Sequence, residues 1–334
     1  MRVGFSFSPG GLLVPYHAGV LRSLEYNNEL DDGTTIAGSS AGAIAVASHG
    51  CNVPSEQVLE TTIQVSDRCR ALGGARGRLL PILNEELDRL IGDDEFDALR
   101  NRPGHTGVAY KEVFPRRKSY VQTEFRSRED LFRSVLFSSM FPFFSANGPC
   151  LIDGPEKFSS SSSSTSLRYF PRLMIDGFFT VPRERFGCPD LNSIVAMDND
   201  LPDPVGFEPI VDEKGNPVEL AAEDTSNSDV TEATTTTRSV VVDRTVAVSC
   251  FPKDVMKITA FDDDDIICPD SSEFDIGDLV RIATECTSRK ELTTMYEAGL
   301  RDGERWCRRN QSQKQKENET MRRNRQDQVS TASS

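Results

Sequence analysis

Thr35-Ile36-Ala37-Gly38-Ser39-Ser40-Ala41-Gly42-Ala43-Ile44-Ala45-Val46-Ala47 decides how this chain is read. Residues 35–37 are an apolar, strand-like step, and 43–47 is a run of small helix-compatible residues, so Gly38-Ser39-Ser40-Ala41-Gly42 falls where a strand turns into a helix. Gly-x-Ser-x-Gly in that setting is a nucleophile elbow. The serine at its tip is held in a strained backbone conformation with its hydroxyl presented outward, and glycine at Gly38 and Gly42 keeps the flanks free of Cβ bulk. Ser40 is therefore the expected nucleophile.

A serine nucleophile needs a base, and the chain has three histidines, His17, His49 and His105. In a hydrolase triad of this elbow type the histidine comes last, after the acid, and no histidine follows His105. His49 stands about 13 Å from Ser40 at the far end of the elbow helix, at 1.5 Å per residue. His105 lies in the loop-like run Arg102-Pro103-Gly104-His105-Thr106-Gly107. The expected base is a carboxylate that takes the serine proton directly. Asp153-Gly154 and Asp176-Gly177 compete for that role, each reading as a short apolar strand that turns at glycine. Asp153 leads into Pro155 and the serine-rich run at 159–166, which positions a base poorly. Asp176 leads into Phe178-Phe179-Thr180-Val181-Pro182, which can pack, and is favoured.

Several stretches carry a resemblance to the patatin-like phospholipase family, within it the branch that contains adiponutrin and adipose triglyceride lipase. They are Ser6-Phe7-Ser8-Pro9-Gly10-Gly11-Leu12-Leu13-Val14-Pro15-Tyr16-His17-Ala18-Gly19-Val20, Tyr120-Val121-Gln122-Thr123-Glu124-Phe125, Ser138-Ser139-Met140-Phe141-Pro142-Phe143-Phe144 and Ala247-Val248-Ser249-Cys250-Phe251-Pro252. Most of 1–186 and 239–310 is covered, in the family's order. The resemblance implies an α/β patatin-like three-layer sandwich with a mainly parallel central sheet. It also implies a Ser40–Asp176 dyad and a structural His17 beneath the site. The activity implied is a lipid acyl hydrolase that cleaves glycerolipid carboxylic esters through an acyl-enzyme, without metal or organic cofactor. A transacylase, or a catalytically weakened lipid-binding protein, is the alternative.

Backbone amides of Gly10 and Gly11 are the expected oxyanion hole, since a bare backbone approaches an oxyanion closely and a helix N-terminus adds partial positive charge. Three positions depart from the family pattern. Pro9 and Val14 stand where outer glycines are usual, Pro9 without an amide and Val14 disfavouring a positive φ. Phe178 follows Asp176-Gly177 where a small residue is usual.

Periodicity gives a strand at 3–7, a helix at about 16–27, a strand at 34–37, the elbow helix at 41–49 capped by Gly50, and helices at 55–72, 84–91 and 127–140. Strand–helix alternation of this kind builds a layered α/β domain. The expected catalytic domain is 1–310, interrupted by a Ser-rich insert at about 158–167 and a disordered acidic insert at about 190–238, before a strand at 239–242. A disordered polar tail at 311–334 completes the expected layout. The net charge of −14 concentrates in the acidic insert, and no nucleic-acid-binding pattern accompanies the arginines of the tail. The eight cysteines show no Cys-x-x-Cys pair, and a strand pattern from Met1 leaves no room for a signal peptide. With no apolar run long enough to span a bilayer, the expectation is a cytoplasmic protein that meets its glycerolipid at a membrane or lipid-droplet surface. Leu12-Leu13-Val14-Pro15-Tyr16 and Met140-Phe141-Pro142-Phe143-Phe144 are the candidate lipid contacts, and any protein regulator is unknown.

Overall fold

The computed structural model describes residues 2–157, 169–194 and 242–332. In chain order the elements are β1 (Val3–Phe7), α1 (Val14–Tyr26), β2 (Ile36–Ser39), α2 (Ala41–Gly50), α3 (Ser55–Ala71), α4 (Leu79–Leu90), α5 (Asp93–Asn101), β3 (Thr106–Phe114), β4 (Ser119–Gln122) and α6 (Arg128–Ser138). Next come β5 (Leu151–Lys157), β6 (Tyr169–Ile175), β7 (Arg244–Val248), α7 (Lys253–Met256), β8 (Ile266–Ile267), α8 (Ile276–Thr284) and α9 (Arg289–Ala332). The strands form one sheet in the order β5-β6-β3-β2-β1-β7-β8, with β4 on the free side of β3. The β8-β7-β1-β2-β3 portion is parallel, whereas β4 and β6 pair antiparallel with β3, and β5 pairs antiparallel with β6.

The pairing along β3 builds the site. Ala109 of β3 pairs with both Ser39 of β2 and Val121 of β4, and Lys111 pairs with both Ile175 of β6 and Ser119 of β4. The strands β2 and β6 thus share one side of β3 and meet end to end from opposite directions. Ser40, the residue after β2, is thereby brought to Asp176, the residue after β6.

One face of the sheet carries the helices. Phe5 and Phe7 of β1 are fully buried in the main core beneath α1, α2 and α9, and Trp306 of α9 sets its ring edge-on to Phe5 at 5.7 Å. On the other face small residues alternate with them. Gly4, Ser6 and Ala37 let a coil lie directly on the strands, with Leu191, Ile194 and Val242 packed on Ala37 and the Ser6 hydroxyl donating to the Pro189 carbonyl at 2.7 Å. This coil covers the strands on that face of the sheet. Residues 190–194 accordingly belong to the fold and not to the acidic insert; the rest of that insert, the Ser-rich insert at 158–167 and residues 239–241 of the expected strand lie outside the described residues.

Two further expectations are corrected. Gly50 is the last residue of α2 and not its cap, because a Cβ there would stand 2.7 Å from Leu99 Cδ1 and Thr106 Oγ1. The tail from 311 continues α9 to Ala332 in place of a disordered segment, since Lys, Gln, Glu and Arg are good helix formers and no Gly or Pro follows Gly303. Lys314 on that extension pairs with Glu29 at 2.8 Å. No helix among the described residues is long and apolar enough to cross a membrane.

Candidate active site

Ser40 has φ 53° and ψ −119°, the positive-φ conformation that lifts its side chain off the chain between β2 and α2. Two glycines permit it. A Cβ on Gly38 would stand 2.3 Å from the Gly42 carbonyl carbon, and one on Gly42 would stand 2.6 Å from the Phe7 oxygen, so the elbow closes on itself and on the end of β1 only without side chains there. The Gly42 amide donates to the Ser8 carbonyl at 3.2 Å. From beneath, His17 donates from Nε2 to the same carbonyl at 2.9 Å, which fixes its tautomer. Burial lowers the His17 pKa to about 4, so this ring is a neutral strut under the site.

Asp176 follows β6 and is fully buried. Its amide donates to the Met140 carbonyl at 2.9 Å, and its Oδ1 accepts the Phe178 amide at 2.7 Å. Its Oδ2 has no hydrogen-bond partner among the described residues. Burial pushes the carboxyl up to about 7, opposed first by the Phe178 amide and then by the neighbouring Ser40 hydroxyl. Catalytic hydrogen bonds often tighten only once substrate is bound. Gly177 sits between the strands, where a Cβ would meet the Ala109 oxygen at 2.3 Å.

Asp153 does not share this place. It lies inside β5, opposite Arg172 of β6, where the register slips between Asp153 and Pro155, so Asp153-Gly154 is an edge bulge and not the turn that ends a strand. Its carboxylate pairs with Arg172 at 3.2 Å, and Arg172 in turn binds the fully buried Glu112 at 3.0 Å. His105 is equally remote in role: its carbonyl accepts the Ile36 amide at the start of β2, the end opposite Ser40. His49 pairs with Glu25 at 3.3 Å.

The loop at Pro9-Gly10-Gly11 opens a short 3-10 turn that runs into α1. Gly11 has φ +57°, and a Cβ on it would lie 2.1 Å from the Ala283 oxygen of α8; one on Gly10 would lie 2.3 Å from Cys250 Sγ. Among the described residues no carbonyl takes the Gly10 or Gly11 amide. Val14 has φ −46°, so the glycine position it replaces needs no positive φ here. Pro9 contributes its carbonyl, which accepts from Ser8 Oγ at 3.0 Å.

These groups open into one cavity of about 320 Å³, within the range of small-molecule sites. Ser40, Asp176, Gly10 and Gly11 all line it. The remaining walls are largely apolar: Ile44 of α2, Val58 and Val65 of α3, and Leu79, Leu83, Leu87 and Leu90 of α4. That leucine stripe is about 16 Å long at 1.5 Å per residue, the reach of a fatty acyl chain. Phe178 lines the cavity and packs on the core, ring edge to Phe186 at 5.8 Å, while its amide holds Asp176.

Ser138 is a residue that the sequence pattern gave no reason to single out. Its buried hydroxyl accepts the Ser40 amide at 2.8 Å and donates to the Ala109 carbonyl at 2.6 Å, tying the elbow to α6 and β3. Of the two candidate lipid contacts, the first is interior, with Leu12, Leu13, Val14 and Tyr16 all buried. In the second, Met140 is buried, but Phe141 is 44% and Phe143 55% exposed.

The sequence model of the family described as Patatin-like phospholipase matches residues 5–182, more than half of the chain and the segment that runs from Phe5 within β1 through the elbow to Asp176. The chain belongs to the patatin-like phospholipase family. Membership implies lipid acyl hydrolase activity. A search of curated proteins returns no match. The patatin-like match ends at Pro182, yet Cys250, Ala283 and α9 all pack on the elements that it covers.

Proposed function

We propose that this patatin-like chain hydrolyses glycerolipid carboxylic esters through a Ser40–Asp176 dyad. The reading is carried by a buried carboxyl raised to about 7, with an unpartnered Oδ2, that lines the same largely apolar cavity as the elbow serine, a cavity that no histidine lines. A base that titrates near neutral pH is matched to accepting a proton there. Ser40 Oγ attacks the ester carbonyl carbon as its proton passes to Asp176 Oδ2. The carbonyl oxygen becomes an oxyanion received by the Gly10 and Gly11 amides, each such donor being worth about 3 kcal/mol of barrier. Collapse expels the alcohol, which takes the proton from Asp176, and leaves the acyl chain on Ser40. Water then attacks the acyl-enzyme, giving its proton to Asp176; as the second tetrahedral intermediate collapses Asp176 returns that proton to Ser40 Oγ, the Ser40–acyl bond breaks, and the fatty acid departs.

The aliphatic stripe of α4 supports a long acyl chain, and the Tyr16-His17-Ala18-Gly19 helix start supports the adiponutrin and adipose triglyceride lipase branch. Of the three departures that favour a weakened site, Val14 adopts a helical φ and so does not itself count against the oxyanion loop. Labelling with a fluorophosphonate ester, followed by peptide mapping, tests the dyad. Modification is expected at Ser40, absent in Ser40→Ala and sharply reduced in Asp176→Asn. No adduct on folded wild-type protein would overturn the reading.

A further inference from the structure

The cavity reaches the surface at Phe141, which both lines it and is 44% exposed. Phe141 stacks on Phe179 at 5.9 Å, and beside it stands Phe143, 55% exposed and held at φ 60°. Large exposed aromatics gathered at a pocket mouth mark a contact surface. The charge around them is positive. Arg76, exposed, donates from Nε to the Phe143 carbonyl at 3.0 Å. On the other flank, Ser119 at the start of β4 donates its hydroxyl to the Thr180 carbonyl, next to Phe179, at 2.9 Å. That bond sets the tip of the β3–β4 hairpin, Arg116-Arg117-Lys118, beside the aromatic pair. The Arg116 amide donates to Glu112 Oε1 at 2.8 Å, which fixes the tip, and all three residues are exposed. Consecutive basic residues on a chain of net charge −14 make this edge locally opposite in sign to the whole. The other place where the cavity reaches an exposed residue, Thr284 of α8, is followed by exposed Glu285.

We infer that the β3–β4 hairpin tip with Phe141 and Phe143 docks the cavity mouth onto an anionic phospholipid membrane surface. The aromatics enter the interface, and the basic tip and Arg76 settle on the headgroup charge. Substrate then passes from the leaflet to Ser40 without crossing water. The docking takes its purpose from the proposed hydrolase, but its test does not depend on catalysis.

The experiment uses the full chain carrying Ser40→Ala, so that vesicles stay intact, sedimented with phosphatidylcholine vesicles with and without phosphatidylserine. Phosphatidylserine is expected to raise partition at least about tenfold, and added salt to reverse it. Arg117→Asp with Lys118→Glu is expected to lose that gain, leaving Arg116 in place for the hairpin; Asp tolerates the positive φ of Arg117. Phe143→Asn, which also accepts positive φ, is expected to weaken binding to both vesicle types severalfold. With Ser40 present, the hairpin variant is expected to keep turnover of a water-soluble short-chain ester. Equal binding with and without phosphatidylserine, binding to a neutral triacylglycerol emulsion that ignores the hairpin charges, or loss of short-chain turnover in the hairpin variant would each overturn the inference. Absence of a fluorophosphonate adduct would strike the dyad alone, because vesicle partition is read on a variant without the nucleophile.

Discussion

At the residue scale the central quantity is the proton on Asp176. In the proposed dyad the carboxyl must be ionised to accept from Ser40, so kcat/KM on a soluble ester is expected to rise with pH along an acidic limb centred near pH 7, where burial has placed this group. Asp176→Asn is expected to cost about three orders of magnitude or more in kcat, and Asp153→Asn little, since Asp153 serves Arg172. The same shift makes a stability prediction of opposite sense. Below the ordinary carboxylate pKa both folded and unfolded states hold the proton, so the group is neutral in its effect. As pH rises to about 7 the unfolded chain ionises while the native one does not, and native stability falls until Asp176 ionises too. Asp176→Asn removes that penalty, so urea melts are expected to show the variant gaining a few kcal/mol on wild type at pH 8 and little near pH 4. Ser40, Gly38 and Gly42 were legible in the sequence because an elbow is local chemistry. The choice between two Asp-Gly pairs rested on the residues just after each, and the physical distinction is a cross-strand arginine. Ser138 was invisible, since its partners Ser40 and Ala109 are far along the chain and a lone serine announces nothing.

At the element scale, α4 supplies the apolar wall that the proposed hydrolysis of long-chain esters needs. Leu79, Leu83, Leu87 and Leu90 fall on one face and line the cavity. Leu83→Trp is expected to fill the channel midway. Short-chain ester turnover should persist within a few-fold, while kcat/KM for long-chain esters drops at least about tenfold, a chain-length series being the measurement. Periodicity starts this helix at 84, more than a turn late, because Pro81 resembles a breaker; in the first turn its missing amide is tolerated. Strand β4 and helix α5 escaped for a different reason: the first is short and the second strongly acidic, so neither presents a long apolar period.

At the scale of the whole molecule, the family match covers the elements of the candidate site but α9 completes the body that holds them. It crosses α1 through glycines: a Cβ on Gly19 would stand 2.2 Å from the Tyr296 oxygen, and one on Gly299 2.1 Å from the Tyr16 oxygen. Farther along, Trp306 is buried against Phe5 and donates from Nε1 to the Asp264 carbonyl at 2.8 Å, and Met295 is fully buried. Composition hid this helix, because its second half is polar and reads as a tail. Gly299→Val pits a branched side chain against backbone that cannot retreat, so a loss of at least about 3 kcal/mol is expected in a denaturant melt. The reach of the core along α9 can be located by truncation. Gln313 donates to Asp264 at 2.7 Å and Lys314 to Glu29 at 2.8 Å, the farthest anchors to the body among the described side chains. Ending the chain after Thr320 is therefore expected to leave Tm nearly unchanged and to retain fluorophosphonate labelling at Ser40. Ending it after Lys290 removes Met295, Tyr296 and Trp306 together and strips the cover from Phe5 and α1, and the shortened chain is expected not to fold. If that shorter chain melted cooperatively and still labelled, the elements through α8 would be a self-sufficient domain and α9 an accessory laid upon it.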